Sequence, residues 1–171
     1  DITKLDESDV PKHDILLGGF PCQSFSVSAQ NPPRLGFKDK RGTLFFEMCR
    51  ILKHHQPRFF VAENVKGLLS ANNKKAFPLI LREFERSGYF VKYKVLNAAN
   101  FGVPQKRERV FIIGFKSECD FNKFSFPEPV LTDEFVSINR VLEPEHLVDK
   151  KYYFSERAVA GLKATKNYRI M

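Results

Sequence analysis

An open α/β fold on a mostly parallel sheet is predicted by three features of the 171-residue sequence. Short apolar runs end in glycine or polar residues, the form of strands buried inside a sheet. Between these runs lie segments whose apolar residues recur at helical spacing. The two kinds alternate as strand, helix, strand, helix, strand, and that order favours parallel strands joined by crossover helices.

The first strand is Asp14-Ile15-Leu16-Leu17-Gly18-Gly19, an apolar run that reads as buried on both faces and stopped by its glycines. From Gly42 to His55, the residues Leu44, Phe45, Met48, Cys49, Ile51 and Leu52 recur at helical spacing, and Gln56-Pro57 closes the segment. Phe59-Phe60-Val61-Ala62 is a second buried strand that runs into Glu63-Asn64. Ala76 to Arg86 carries Phe77, Ile80, Leu81 and Phe84 on one helical face, with Gly88 as its stop. Tyr89 to Leu96 alternates as a third strand, and Val110 to Phe115 forms a fourth after a loop holding Gly102, Pro104 and several charges. Past residue 116 the pattern is less regular, and Ser155 to Lys163 reads as a short helix capped by Ser155. The domain reading is a core over residues 1–116 and an irregular segment over 117–171.

Composition narrows the class. With 43% hydrophobic residues the chain can bury a core, and 18 Phe with no Trp means that Phe fills it. There is no apolar run approaching the roughly 18 residues of a membrane span, so the chain reads as soluble and intracellular. The 28 Lys and Arg against 20 Asp and Glu give a charge of +8, which suits a polyanionic partner and equally a solvated basic surface. Cys22, Cys49 and Cys119 are far apart and never in a CxxC pair, so neither a disulfide framework nor a metal site is expected.

In an open α/β sheet, ligands sit outside the carboxyl ends of the strands, and three groups of residues fall there. Cys22, in Gly-Gly-Phe-Pro-Cys-Gln-Ser-Phe-Ser, follows the first strand, where a thiol can meet a substrate or simply pack as a small hydrophobe. Cys49 shares an apolar helix face and reads as core, and Cys119 as an incidental thiol in a polar stretch. Glu63-Asn64 follows the second strand; a carboxylate there is either a partly desolvated proton donor or a turn-forming acid. In Gln105-Lys106-Arg107-Glu108-Arg109 the strand period puts Gln105, Arg107 and Arg109 on one side and Lys106 and Glu108 on the other. Two guanidiniums on one face can bind a carbonyl, carboxylate or phosphate, or can merely solvate a strand entrance.

PCQ after one strand, ENV after the next and QxRxR before a later one resemble, in that order, the cytosine-5 DNA methyltransferase family of bacterial type. Pro21 to Phe46, PCQSFSVSAQNPPRLGFKDKRGTLFF, is similar to the family's mobile catalytic loop, and Asn97 to Gly114, NAANFGVPQKRERVFIIG, to the segment around its paired arginines. The resemblance implies a Rossmann-like methyltransferase fold, S-adenosylmethionine as cofactor, and double-stranded DNA as substrate. It makes Cys22 the thiolate that adds to carbon 6 of cytosine, Glu63 the group at ring nitrogen 3, and Arg107 and Arg109 the cations around Glu63 and oxygen 2, with their labour undivided. Phe20, Pro21, Gln23, Ser26, Asn64 and Gln105 would support the substrate. Asp1, Ile2, Pro21 and Leu44 would meet the cofactor, and Ser24 to Arg41 would close over a flipped base.

The family's glycine-rich FxGxG turn and its target-recognition region are not in the sequence. The expectation is therefore an incomplete catalytic domain with little turnover alone, completed by the remainder of a parent protein or by a complementary chain, in a bacterial cytoplasm and a restriction-modification system. Two alternatives remain at this point: a transfer RNA cytosine-5 methyltransferase of the same fold, and a non-catalytic nucleic-acid-binding fragment.

Overall fold

The computed structural model describes residues 1–21, 40–71, 74–130 and 136–164, with side chains from Leu44 onward in the second stretch. Packing divides the chain into two units, residues 1–135 and 136–171.

The first unit carries four strands, β1 (Ile15–Gly18), β2 (Phe59–Val65), β3 (Phe90–Asn97) and β4 (Glu108–Phe115), and three helices, α1 (Lys40–His55), α2 (Ala76–Arg86) and α3 (Glu118–Lys123). All five strands and helices expected between residues 42 and 115 are present, with ends moved by a few residues. β2 is longer than its apolar run, so Glu63 and Asn64 lie within the strand rather than after it.

The strand order is β1-β2-β4-β3, and only β1 and β2 pair in parallel. β4 lies between β2 and β3 and is antiparallel to both. The sheet is therefore mixed, and the expectation of a mostly parallel sheet is wrong. The cause is the link from β3 to β4, residues 98–107, which is too short for a helical crossover and long enough only for a hairpin. The helical links keep β1, β2 and β3 pointing one way, and the hairpin then folds β4 back into the gap between β2 and β3.

Both long helices pack on one face of this sheet. Phe45 and Leu52 of α1 and Ile80 and Phe84 of α2 meet Phe60 and Ala62 of β2 and Val110 and Ile112 of β4 in a single buried cluster. Alternate residues of β2 are buried, as the two-residue strand period requires. Rings supply much of the packing: Phe60 lies 4.4 Å from Phe84 and 5.1 Å from Tyr89, centroid to centroid, and Phe45 lies 5.1 Å from Phe84. Cys49 belongs to this cluster, as expected, and its burial pushes the thiol up to about 12. Cys119 is exposed.

β1 departs from its expected burial. Ile15 and Leu17 are 53% and 73% exposed, because β1 is an edge strand of this sheet and its outer side chains lie on the face opposite the long helices. Gly88 stops α2 as expected, at φ +92° in the left-handed region. Beside it, the Gln56 amide donates to Leu52 O at 2.8 Å and Ser87 O at 3.1 Å, which ties the end of α1 to the end of α2.

The second unit holds single 3-10 turns and α4 (Glu156–Ala164), and none of its described residues is buried. The Ser155 hydroxyl accepts from Ala158 N at 3.3 Å, so the expected capped helix is present.

Gly114 gives a test of the sheet face. It pairs with Phe60 across β2 and β4, and a Cβ built there would overlap the Phe60 ring. Phe60 is fully buried against Phe84 and Tyr89 and has no space to yield. Gly114→Ala is expected to cost about 1–3 kcal/mol through overpacking, measured as a lower urea midpoint with unchanged slope. An unaltered midpoint would show that the ring is free to move.

Candidate active site

The carboxyl ends of β1 and β2 and the start of β4 converge on a small set of polar side chains. Register sets the first contact. Val65 pairs with Arg109 and Glu63 with Phe111, so Glu63 and Arg109 are diagonal neighbours on one face of an antiparallel pair, within reach of long side chains. Arg109 Nε meets Glu63 Oε1 at 2.8 Å, and Arg109 Nη1 donates to Glu108 O at 2.9 Å. The Glu63 side chain is 40% exposed, more open than a desolvated proton donor would be, while Arg109 is 23% exposed.

The pair lines a cavity of about 400 Å³ together with Arg107 and the apolar walls Leu96, Phe101, Phe111 and Pro127. A concave, mostly apolar site with a few convergent polar groups is the usual form of a small-ligand pocket. Arg107 is exposed, and among the described residues its guanidinium has no ion pair or hydrogen bond. The two arginines therefore differ: Arg109 holds Glu63 in place, and Arg107 offers a free cation to whatever enters. Gln105 sits in the bend before β4 and does not line this cavity. Glu108 turns away, as expected, and accepts from Lys66 at 2.7 Å; that hydrogen bond holds its carboxyl below the usual range.

A second set of bonds fixes the turn after β1. Asn64 is 2% exposed, and its amide donates to Phe20 O at 3.1 Å while its carbonyl oxygen accepts from Val65 N at 2.9 Å. A Cβ placed on Gly19 would lie 3.8 Å from Glu63 Oε2. The stretch from Gly19 to Pro21 thus passes beside Glu63 and is anchored by Glu63's neighbour in sequence. Cys22, Gln23 and Ser26 lie outside the described residues, as does most of the Ser24 to Arg41 loop.

Sequence reasoning missed Asn97. Its Oδ1 accepts from Ala99 N at 3.2 Å and from Arg107 N at 3.0 Å, and Ala98 N bonds back to Arg107 O at 3.0 Å. One side-chain oxygen thereby clamps both ends of the link that carries Arg107 and the walls Ala98, Phe101 and Val103. The available signal was an Asn at the end of a strand, where Asx side chains cap following backbone amides.

On the other side of the β1 turn is a smaller, apolar pocket of about 160 Å³, whose walls include Ile2, Phe20, Pro21, Leu44 and Met48. Of the residues expected at the cofactor, Ile2, Pro21 and Leu44 meet here. Asp1 does not line it, and its carboxylate instead caps the first turn by accepting from Thr3 N at 3.1 Å. Among the described residues there is no group of His, Cys, Asp and Glu that could hold a metal. None of the described helices is long and apolar enough to cross a membrane.

Comparison with known proteins gives the family. The model of the C-5 cytosine-specific DNA methylase family matches residues 1–170. Type II methyltransferase M.NgoBI of Neisseria gonorrhoeae is 45% identical over 156 residues, covering 91% of this chain and 47% of that protein. Type II methyltransferase M.HaeII of Haemophilus aegyptius is 44% identical over 156 residues, again 91% of this chain, and 46% of its own length. The methyltransferase EhMeth of Entamoeba histolytica, at 16% identity, shares the fold alone, with a TM-score of 0.60 over 87% of this chain and 45% of that one. The fold is that of a Rossmann-like methyltransferase, on a mixed sheet. The chain belongs to the C-5 cytosine-specific DNA methylase family, and it spans under half the length of these curated relatives.

The clamp at Asn97 is open to a direct test. Asn97→Ala removes the acceptor of one part-buried and one exposed amide, at about 0.5–1.5 kcal/mol. Hydrogen exchange at Ala99 and Arg107 is therefore expected to quicken by a few-fold up to about tenfold. Unchanged exchange at both amides would mean that the link is closed by something other than Asn97.

Proposed function

We propose that the protein bearing this chain methylates carbon 5 of cytosine in double-stranded DNA, within a bacterial restriction-modification system in the cytoplasm. The observation that supports this reading best is the joint placement of Glu63, Arg107 and Arg109 in one cavity beside the anchored turn that leads to Cys22.

Carbon 5 of cytosine is not nucleophilic, and covalent addition splits the difficult step into easier ones. The Cys22 thiolate forms a bond to carbon 6, and the ring electrons shift toward nitrogen 3 and oxygen 2. Glu63 hydrogen-bonds or protonates nitrogen 3, and Arg109 fixes the orientation of Glu63 through its 2.8 Å contact. Arg107, free of other partners among the described residues, donates to oxygen 2 or to the adjoining phosphate. Bound S-adenosylmethionine supplies the electrophilic methyl group. The nucleophilic carbon 5 takes that methyl, a base removes the carbon 5 proton, and the carbon–sulfur bond breaks to release Cys22. Asn64 keeps the Phe20 carbonyl, and so the base of the catalytic turn, in register with Glu63. The target base leaves the duplex for this site, at a cost of roughly a few kcal/mol in unstacking.

The apolar pocket around Ile2, Pro21 and Leu44 fits part of the cofactor. At about 160 Å³ it is smaller than the ~300–1,000 Å³ usual for small-molecule sites. Further length of the same polypeptide, or a complementary chain, would supply the remaining wall.

The test is a mechanism-based trap. In a polypeptide that joins this sequence to the further length its relatives have, duplex DNA containing 5-fluorocytosine and S-adenosylmethionine should give a covalent adduct on a denaturing gel. Cys22→Ser should abolish it, and Arg109→Ala should slow its formation by about 10²-fold. An adduct that persists in Cys22→Ser would refute the assignment of the nucleophile.

A further inference from the structure

At the carboxyl edge of the sheet, helix ends and charges stand against each other. β1, β2 and β3 finish at this edge and β4 begins there, so α1 and α2, which return the chain, start there. A helix amino terminus carries partial positive charge and favours Ser, Thr, Asp or Asn at its cap and acids in its first turn. Neither α1 nor α2 has an acid in its first turn. The cap of α2 is Lys75, which makes no side-chain capping bond, and Lys74 before it is held at φ +65°, a region uncommon for a side chain of that kind. α1 opens with Lys40-Arg41. The chain's other helices follow the rule, with Glu118 and Asp120 in the first turn of α3 and Glu156 in that of α4.

The links at the same edge add Lys66, Lys106 and Arg107. Among the described residues its acids are already committed, Glu63 to Arg109 at 2.8 Å and Glu108 to Lys66 at 2.7 Å. Lys74, Lys75, Lys106 and Arg107 are exposed, and their side chains have no ion pair or hydrogen bond among the described residues. At the opposite edge several cations have partners or a favourable helix end. Arg58 holds Asp120 at 3.0 Å and Arg86 holds Glu83 at 2.6 Å. Lys53, His54 and His55 occupy the last turn of α1, where the helix field favours them.

From this asymmetry we infer that the carboxyl edge is a phosphate track, on which Lys74, Lys75, Lys106 and Arg107 neutralise backbone phosphates of duplex DNA around the pocket of Glu63. Lys74 and Lys75, without an ion pair among the described residues and set against the field of α2, are unfavourable in the free chain and become favourable beside a polyanion. That the polyanion is duplex DNA rests on the methyltransferase reading. Each phosphate neutralised releases condensed counterions, so the track has a measurable signature in the salt dependence of binding.

The experiment measures fluorescence anisotropy of a labelled duplex, free of modified bases, titrated with the chain between about 50 and 200 mM salt. Replacing Lys74, Lys75 and Lys106 together by Gln should reduce the slope of log K against log salt by about 0.9 for each phosphate no longer neutralised, up to about 2.7. A control with Lys53→Gln and Lys123→Gln should keep the original slope. Lys75→Asp should weaken binding and raise Tm, because it relieves the helix end; a role confined to structure would move both the same way. The track is overturned if the triple variant keeps the slope, if the control loses as much, or if the unsubstituted chain binds no duplex at low salt. An adduct at Cys22 with an unchanged slope would defeat the track and leave the chemistry standing. A reduced slope without an adduct would leave the track as a DNA contact and defeat the chemistry.

Discussion

The antiparallel register between β2 and β4 is the constraint from which the site follows. Seven residue pairs, from Phe59 with Phe115 to Val65 with Arg109, set which side chains share a face. A slip of one residue would turn Arg109 toward the buried cluster and leave Glu63 without its partner, because the side-chain period of a strand is two. That register is held from both sides. Alternate positions of the two strands, Phe60, Ala62, Val110 and Ile112, are packed under α1 and α2, so the pairing that buries them is also the pairing that joins Glu63 to Arg109. The Glu63–Arg109 pairing and core packing are thus one condition rather than two.

At the two turns beside this ladder, backbone groups are fixed by amide side chains. Asn64 anchors the turn after β1, and Asn97 closes the link before β4. An amide can donate and accept at once and carries no charge to disturb Glu63 or the arginines. The charged side chains are left with two kinds of task. Arg109 and Lys66 hold carboxylates in place, while Arg107 faces the cavity without a partner among the described residues.

Much of this was legible in the amino-acid sequence alone. The helical spacing of Ala76 to Arg86 with Gly88 behind it gave α2 its bounds, and Cys49 was read as core from its face of α1. Local signals failed where partners decide. The run Val110 to Phe115 looks the same whether its strand runs parallel or antiparallel, and only the shortness of residues 98–107 distinguishes the two. Ile15 and Leu17 looked buried because they are apolar, yet burial depends on which strands flank β1. The division between Arg107 and Arg109 was not readable, since both sit on one alternation and only the diagonal to Glu63 separates them. Gln105 was assigned to that alternation although the strand begins three residues later.

The hairpin carries a consequence for the order in which the molecule assembles. Asn97 and Glu108 pair across eleven residues, whereas Ile15 and Phe59 pair across forty-four, and so do Val65 and Arg109. Closing a short loop costs less chain entropy and is faster, which favours association of β3 with β4 ahead of the docking of β2. Placing Arg107 thus needs only local contacts, whereas placing Glu63 needs distant ones. β4, though later in the sequence than β2, offers the edge on which the earlier strand is received.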